Sequence, residues 1–214
     1  MSVIRQPGML GRTTRHRVVG LTVALTAATV ETLAVGLWFV LVVGSRSTTT
    51  ALAGLGILFC GSLLRTGVFG VAVSDLNDLL RPHRLAVALS LTAGWVIWLL
   101  VAELVGGTQG IAIATVTLVV VLVCQFAFER CVFEQRPSPR PTVESALTAI
   151  TLAVGGAILL ASVWFVDLTL VTPPLSFDVT TIVFRLEAVQ LGSLAFGICA
   201  FLAHQYRFTR RLEQ

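Results

Sequence analysis

Long apolar runs alternate with short polar segments along the whole chain. Crossing the ~30 Å hydrocarbon layer of a membrane takes about 20 helical residues, because a single helix pairs all of its own backbone groups there. Six runs are long enough, and they cover residues 18–44, 51–73, 85–105, 109–128, 143–166 and 180–203. The pattern predicts an all-α fold, a polytopic integral membrane bundle of six transmembrane helices. The first run is longer than the apolar region of a cleaved signal peptide, so it is predicted to remain as helix 1.

The segments between the runs are short and rich in Gly, Pro, Ser, Asp and Arg, which interrupt helices. They cover residues 45–50, 74–84, 106–108, 129–142 and 167–179. None is long enough to form a soluble domain. The predicted organisation is therefore a basic segment at 1–17, one transmembrane domain at 18–206 and a basic tail at 207–214.

Composition agrees with this class and excludes several functions. Apolar residues make up 56% of the chain and charged residues 12%, and the mean hydropathy is +0.90. These values are far from those of water-soluble domains. The chain has no lysine, which excludes retinal-type Schiff bases, pyridoxal-phosphate enzymes and Walker A nucleotide binding.

Arginine is distributed unevenly between the two sides of the predicted bundle. Twelve of the 15 arginines lie before helix 1, between helices 2 and 3, between helices 4 and 5, or after helix 6. Arg46 is the only arginine in the first two loops of the other side. The positive-inside rule then predicts that both termini are cytoplasmic, in a cell membrane. Because topology explains the net charge of +4, no nucleic-acid partner is predicted.

A weak internal similarity is also present. His16-Arg17 precedes helix 1 and His83-Arg84 precedes helix 3, and a small-residue stretch follows each pair. Three two-helix hairpins in parallel orientation would account for it, which is a known construction of transport folds. Chance similarity between Ala-, Leu- and Val-rich helices is the alternative.

Small residues recur at helical spacing in two of the predicted helices. Helix 1 has Ala24, Ala28, Thr32 and Gly36, and helix 5 has Ser145, Ala149, Ala153, Ala157 and Ala161. Such faces allow close helix approach in lipid, so they are predicted to pack against neighbouring helices, partner membrane subunits or a second copy of the chain. Trp38, Trp98 and Trp164 are predicted to form an aromatic belt at the outer membrane interface.

Cysteine and histidine give no sign of a cofactor or metal. Cys60, Cys124, Cys131 and Cys199 contain no Cys-x-x-Cys pair, and they are interpreted as buried free thiols. His16, His83 and His204 map to helix ends and are interpreted as solvated rather than as haem ligands. No cofactor and no metal is predicted.

Two charged residues fall deep inside predicted helices. Glu31 and Arg65 each lie about 20 Å along their helix from its first residue. A charge at this depth costs roughly 3 kcal/mol on insertion scales, so such groups normally face a partner or water. Ala27, Ala28 and Ala34 surround Glu31 on its helix, which places it on the small-residue face. The two charges are predicted to pair with one another or to line a water-filled cavity.

Further polar residues map to the outer half of the predicted bundle. Glu103 ends helix 3, while Arg185, Glu187 and Gln190 lie in the first turns of predicted helix 6. Together with Glu31 they form either a structural ion-pair network or a polar vestibule for an ion, a proton or a small polar solute. The carboxylates outnumber the nearby arginines, which favours a protonated carboxyl or a bound cation.

Three classes of function are compatible with these features. The first is a transporter or channel for an ion or small polar solute, whose path includes Glu31, Arg65 and the outer polar residues. The alternative is a non-catalytic membrane subunit or assembly factor of a larger complex. An intramembrane enzyme is least favoured, because no aspartate or histidine lies deep in a predicted helix.

Overall fold

The computed structural model describes residues 8–45, 47–71, 82–134, 143–177, 180–183 and 185–212. Six helices account for most of them, and each is long and apolar enough to cross a membrane. The helices are α1 (Gly8–Gly44), α2 (Thr48–Val71), α3 (Pro82–Val105), α4 (Gly107–Glu134), α5 (Val143–Trp164) and α6 (Ala188–Leu212). The prediction of a helical fold with six helices long and apolar enough to span a membrane is confirmed.

The helices form a closed ring. Each helix packs against its neighbour in the chain, and α6 packs against α1. One end of the ring contains the connections from α1 to α2 and from α3 to α4, and we call it the turn end. The opposite end contains the last residues of α6, and we call it the terminal end. Side chains from several helices fill the interior of the ring.

Small residues bring the helices into close contact. A Cβ added at Gly61 of α2 would collide with the Cβ of Ala34 on α1, and one added at Gly155 of α5 would lie 2.8 Å from the Cβ of Cys199 on α6. Ala24 and Ala28 of the predicted small face of α1 are also buried. These contacts confirm that small residues set the helix spacing in this bundle.

The opposite faces of the helices expose large apolar side chains, as the predicted lipid contact requires. Examples are Leu25, Leu33 and Leu37 on α1, and Val116 and Val120 on α4. Cys60 and Cys124 are exposed too, and Cys131 and Cys199 are half-buried. The interpretation of the cysteines as buried is therefore wrong for the first pair and only partly right for the second. Lipid tails do not penalise an exposed thiol that behaves as a small hydrophobe.

The turn between α3 and α4 depends on two consecutive glycines. Gly106 and Gly107 have φ angles of 71° and 60°, a left-handed conformation that costs glycine little. The amide of Gly106 donates to the carbonyl of Ala102 at 2.8 Å, closing the last turn of α3.

The segment between α5 and α6 differs from the prediction. Residues 180–182 and 185–187, which were assigned to the start of helix 6, form strands instead. Strand β1 (Thr169–Val171) pairs with β4 (Arg185–Glu187), and β2 (Leu175–Phe177) pairs with β3 (Thr180–Ile182), both antiparallel. The alternating Thr, Val, Phe and Ile residues favour extended backbone. Pro173 and Pro174 separate β1 from β2, because proline cannot donate a ladder hydrogen bond.

Three helices also extend beyond their apolar runs. α1 begins at Gly8 rather than at residue 18, α4 continues to Glu134 rather than ending at 128, and α6 continues to Leu212 rather than ending at 203. Polar residues with good helix propensity continue a helix after its apolar face has ended. As a result, Glu129 and His204 lie inside helices and not in loops.

Tryptophan contributes to the interior of the ring and not mainly to an interfacial belt. Trp98 is 0% exposed and Trp38 is 3% exposed, so the belt interpretation is wrong for both. The Trp95 and Trp98 rings meet edge to face at 5.5 Å, Trp95 meets Phe196 at 5.4 Å, and Phe39 lies 6.2 Å from Trp98. We call these four residues the aromatic layer. Their geometry is that of favourable aromatic pairs.

Candidate functional site

Five charged or titratable side chains meet inside the ring, in the half nearer the terminal end. They come from four helices and are buried together. We call them the charge cluster: Glu31 of α1, Arg65 of α2, Glu129 of α4, and His204 and Arg207 of α6.

Glu31 lies at the centre of the cluster because α1 presents it from its small-residue face. Ala27, Ala28 and Ala34 on the same helix are buried, and Gly61 allows α2 to approach Ala34. The close approach brings the helix that carries Arg65 within side-chain reach. Of the sequence-predicted site residues, Glu31 and Arg65 are the two that meet in the charge cluster.

Both carboxylate oxygens of Glu31 are engaged. Arg65 Nη1 donates to Oε1 at 3.2 Å, and His204 Nε2 lies 2.6 Å from Oε2. A nitrogen–oxygen distance of 2.6 Å is slightly shorter than the usual range of charge-assisted N–H···O bonds, so the two groups are in direct contact. Glu31 therefore connects α1 to both α2 and α6.

Glu129 makes the second set of ion pairs. Its Oε1 lies 3.5 Å from Arg65 Nη2, and its Oε2 lies 2.7 Å from Arg207 Nη2. The cluster thus forms a continuous sequence of contacts that runs His204, Glu31, Arg65, Glu129, Arg207.

Phe126 provides an apolar surface for the two guanidinium groups. The Arg207 Cζ lies 4.7 Å and the Arg65 Cζ 5.7 Å from the centroid of its ring. Both are within the ~6 Å at which a cation is attracted to an aromatic face.

Formal charges within the cluster balance. Two carboxylates face two guanidinium groups, and His204 is the remaining titratable member. The carboxylate surplus that was predicted from the sequence is absent from this set of contacts. A balanced set limits the Coulomb cost of burial, although each ion still loses its hydration.

Burial varies along the cluster. The side chains of His204, Arg65 and Glu31 are 0%, 1% and 2% exposed, whereas those of Glu129 and Arg207 are 6% and 11% exposed. Arg207 lies about 7 Å along α6 from its last helical residue. The cluster therefore extends from the interior of the ring to its surface near the terminal end.

Neutral polar side chains continue the site towards α3. Thr92 donates to Ser62 at 3.3 Å, joining α3 to α2, while Gln125 donates to the carbonyl of Val87 at 2.9 Å and accepts from Ser90 at 2.5 Å, joining α4 to α3. A cavity of about 10 Å³ lies beside Glu31, Ser62, Arg65 and Trp95. This volume accommodates about one water molecule at most.

The aromatic layer closes the ring on the turn-end side of the cluster. Phe39 and Phe196 each lie about 12 Å along their helix from Glu31 and His204, respectively. Trp95 both lines the small cavity and contacts Phe196. The charge cluster is thus separated from the turn end by packed rings.

The structure places the other four predicted site residues at the turn end, away from Glu31. Arg185 and Glu187 lie in β4 and are exposed. Gln190 is exposed, and its side chain accepts a hydrogen bond from the Glu187 amide at 3.1 Å, which is one half of a capping box at the start of α6. Glu103 lines a separate groove of about 640 Å³ with residues of α1 and α2.

Sequence reasoning missed three members of the cluster. Glu129 and Arg207 were counted among loop and tail residues, and the interpretation of His204 as solvated is wrong, because it is fully buried. Their spacing is the signal that could have found them: Phe126 and Glu129 share one helix face at i, i+3, as do His204 and Arg207. His83, in contrast, is exposed as predicted.

Within the described residues, no group of three or more His, Cys, Asp or Glu side chains is arranged to hold a metal ion. Comparison with known proteins adds no family: no family model, no curated protein and no solved structure matches the chain. Functional inference therefore starts from the charge cluster itself.

Proposed function

We propose that this protein is a small membrane transporter or channel that moves an ion or a small polar solute across a cell membrane. The observation that supports the proposal most is the charge cluster inside the helix ring, which is continuous from the buried His204 to the partly exposed Arg207. Glu31 and Arg65, the proposed pathway residues, are both members.

Energetics favour a functional reason for such a cluster. Replacing a buried ion pair with apolar residues of similar volume is often neutral or stabilising. Ionisable residues at membrane depth are accordingly rare, and where they occur they commonly mark ion pathways and proton relays. Packing six helices together does not require five ionisable residues in one contact network.

The position of the aromatic layer supports the same proposal. An alternating-access protein needs a site that communicates with one side while the other is closed. The cluster reaches the surface near the terminal end, and Trp95, Trp98 and Phe196 pack on its other side. Such packed rings would act as the closed barrier.

We further propose that both termini are cytoplasmic and that the membrane is the plasma membrane. The arginine count supports this orientation. The terminal end, with Arg207, would then face the cytoplasm, and Glu103 and the strands would face outwards. The outer residues Glu103, Arg185, Glu187 and Gln190 would belong to the entrance of the pathway.

The alternative is a non-catalytic membrane subunit or assembly factor. A specific observation favours it: a lipid-facing groove of about 500 Å³ runs between α1 and α2, lined by Ala34, Ala53, Gly56, Cys60 and Gly61 among others. Small residues on an open face permit close approach of a further helix, from a second copy or from a partner subunit.

A flux experiment separates the two proposals. Purified protein in liposomes would be exposed to rapid changes of Na⁺, K⁺, Cl⁻, protons or zwitterionic amino acids, with charge movement recorded on a supported membrane. A current that is lost in Arg65→Gln but kept in Arg46→Gln, an arginine outside the proposed pathway, supports transport. No current for any probe, together with a fixed set of co-purifying membrane proteins, would support the subunit role instead.

A further inference from the structure

The space beside Glu31 and Arg65 limits what can bind there. The adjoining cavity of about 10 Å³ holds at most about one water molecule, which is too small for a polyatomic solute or a hydrated metal ion. A proton needs no such space, because it travels along hydrogen bonds.

We propose that Glu31 and His204 form a proton-binding site, so that the ion moved or coupled by this protein is a proton; this inference rests on the proposed transport function. Nε2 of His204 and Oε2 of Glu31 are already 2.6 Å apart. In the unloaded state the neutral imidazole donates its Nε2 hydrogen to the carboxylate, and the pair carries one negative charge. Taking one proton from water converts the imidazole to imidazolium, and the pair becomes neutral.

Of the five members of the charge cluster, His204 is the one whose charge can change near neutrality. The carboxylate of Glu31 favours a positive charge on His204, whereas the guanidinium groups of Arg65 and Arg207 oppose it. Arginine stays protonated at all physiological pH values. Histidine is the side chain that ordinarily changes charge near neutrality, so His204 is the member suited to accept and release a proton.

The remaining helices bring few other titratable groups to this half of the bundle. α3 contributes the buried Arg84, and α5 contributes Glu144 in its first turn. Cys199 lies on α6 but contacts Gly155 of α5. With the two arginines balanced by the two glutamates, a proton on His204 gives the whole cluster one net positive charge.

Access for this proton lies on the terminal-end side. Ion pairs lead from Glu31 through Arg65 and Glu129 to the partly exposed Arg207. They bring this side of the cluster close to the surface, but the guanidinium groups do not themselves relay the proton, because arginine does not release one. On the other side, Trp95 lines the small cavity and packs edge to face against Trp98 and Phe196. A proton taken up from the terminal end would reach the opposite face only after these rings separate.

Nuclear magnetic resonance of histidine-labelled protein in detergent micelles tests the site directly. The chain has three histidines, and the double variant His16→Gln, His83→Gln leaves His204 as the only labelled ring. We expect its ¹⁵N signals to change from neutral imidazole to imidazolium between about pH 8 and about pH 5. Glu31→Gln should shift the midpoint, whereas Glu187→Gln at the turn end should not.

Unchanged ring signals across this pH range in the folded protein would overturn the proposal, and so would a titration unaffected by Glu31→Gln. Should Glu31→Gln fail to fold, Glu31→Asp provides the comparison, because it keeps the carboxylate but shortens its reach. If His204 titrates but liposomes show no flux, the proposed proton site is kept and the proposed transport function is rejected. If liposomes show flux but His204 does not titrate, the proposed proton site is rejected and the transport function is kept.

Discussion

Each carboxylate of the charge cluster contacts two partners, and the number of partners determines how much stability a substitution of that carboxylate removes. Glu31 accepts from both Arg65 and His204, and Glu129 contacts both Arg65 and Arg207. Removing one carboxylate therefore leaves two cationic or polar partners without their acceptor. Burial makes this loss expensive, because water cannot readily replace the missing partner.

Glu31→Gln should lower the free energy of unfolding by roughly 3–5 kcal/mol, the usual effect of breaking a buried ion pair from one side. The matched control is Glu187→Gln, the same substitution at an exposed position of β4, which should change stability by less than about 0.5 kcal/mol. Thermal unfolding in detergent measures both. Equal stability of the two variants would show that water reaches Glu31 and compensates for its loss.

The Glu129–Arg207 contact gives a second prediction. Single substitutions Glu129→Gln and Arg207→Gln should each destabilise the bundle, but the double variant should lose less than the sum, with a coupling of about 0.5–3 kcal/mol. Denaturant unfolding of the four proteins in one detergent provides the cycle. Simple additivity would mean that the 2.7 Å contact contributes no net stability.

At the scale of the helices, sequence patterns predicted the existence of the elements better than their ends. The six apolar runs identified all six helices, because burial in lipid demands an unbroken run. The positions of the helix ends depend on local polar residues. These residues lie outside the apolar runs, so the requirement for an unbroken apolar run does not predict them. Glu129 and Arg207 were missed because each lies past the end of an apolar run, whereas Glu31 and Arg65 were found because each interrupts one.

Strands β3 and β4 illustrate another limit of the sequence pattern. The segment that contains Ile182 and Leu186 is apolar enough to extend a membrane helix, but its cross-strand partners in β1 and β2 determine its conformation. Pairing between distant segments leaves no periodic signal that distinguishes a short strand from a helix end.

Close approach of α1 and α2 leads to an element-scale prediction. Gly61→Ala should destabilise the bundle by about 1–3 kcal/mol, because the new methyl group overlaps Ala34. Gly56→Ala is the control on the same helix, since a Cβ there meets nothing within 4 Å. The control should be neutral or slightly stabilising, because alanine favours helices. Thermal unfolding in detergent distinguishes the two, and identical stability would mean that α2 shifts without cost.

The aromatic layer leads to another testable prediction. If it is the barrier of a transport pathway, Trp95→Ala should raise passive proton leak through protein-containing liposomes by about tenfold or more, a barrier loss of about 1.4 kcal/mol. Trp95→Phe should retain most of the barrier, and Trp164→Ala, at the end of α5, should leave the leak unchanged. A pH-sensitive dye inside the liposomes reports the rate. Equal leak in all variants would place the barrier elsewhere.

At the scale of the whole molecule, orientation can be tested with single cysteines. In a variant whose four native cysteines are replaced by alanine, cysteine at Thr49, Gln109 or Ser176 should react with a membrane-impermeant maleimide added outside intact cells. These positions lie at the turn end, which the arginine distribution assigns to the outer side. Labelling only after the cells are opened would reverse the proposed topology.

The order in which the helices are made gives the charge cluster a consequence for biosynthesis. Glu31 and Arg65 lie on consecutive helices, so they can neutralise one another as soon as that pair has entered the membrane. Glu129 enters two helices later, and its 2.7 Å partner Arg207 is on the last of the six. Until α6 is inserted, the nascent protein carries a carboxylate and a hydrogen-bond acceptor that lack their final partners. The buried charges of Glu31 and Glu129 are thus fully compensated only after the helix that carries His204 and Arg207 has been inserted.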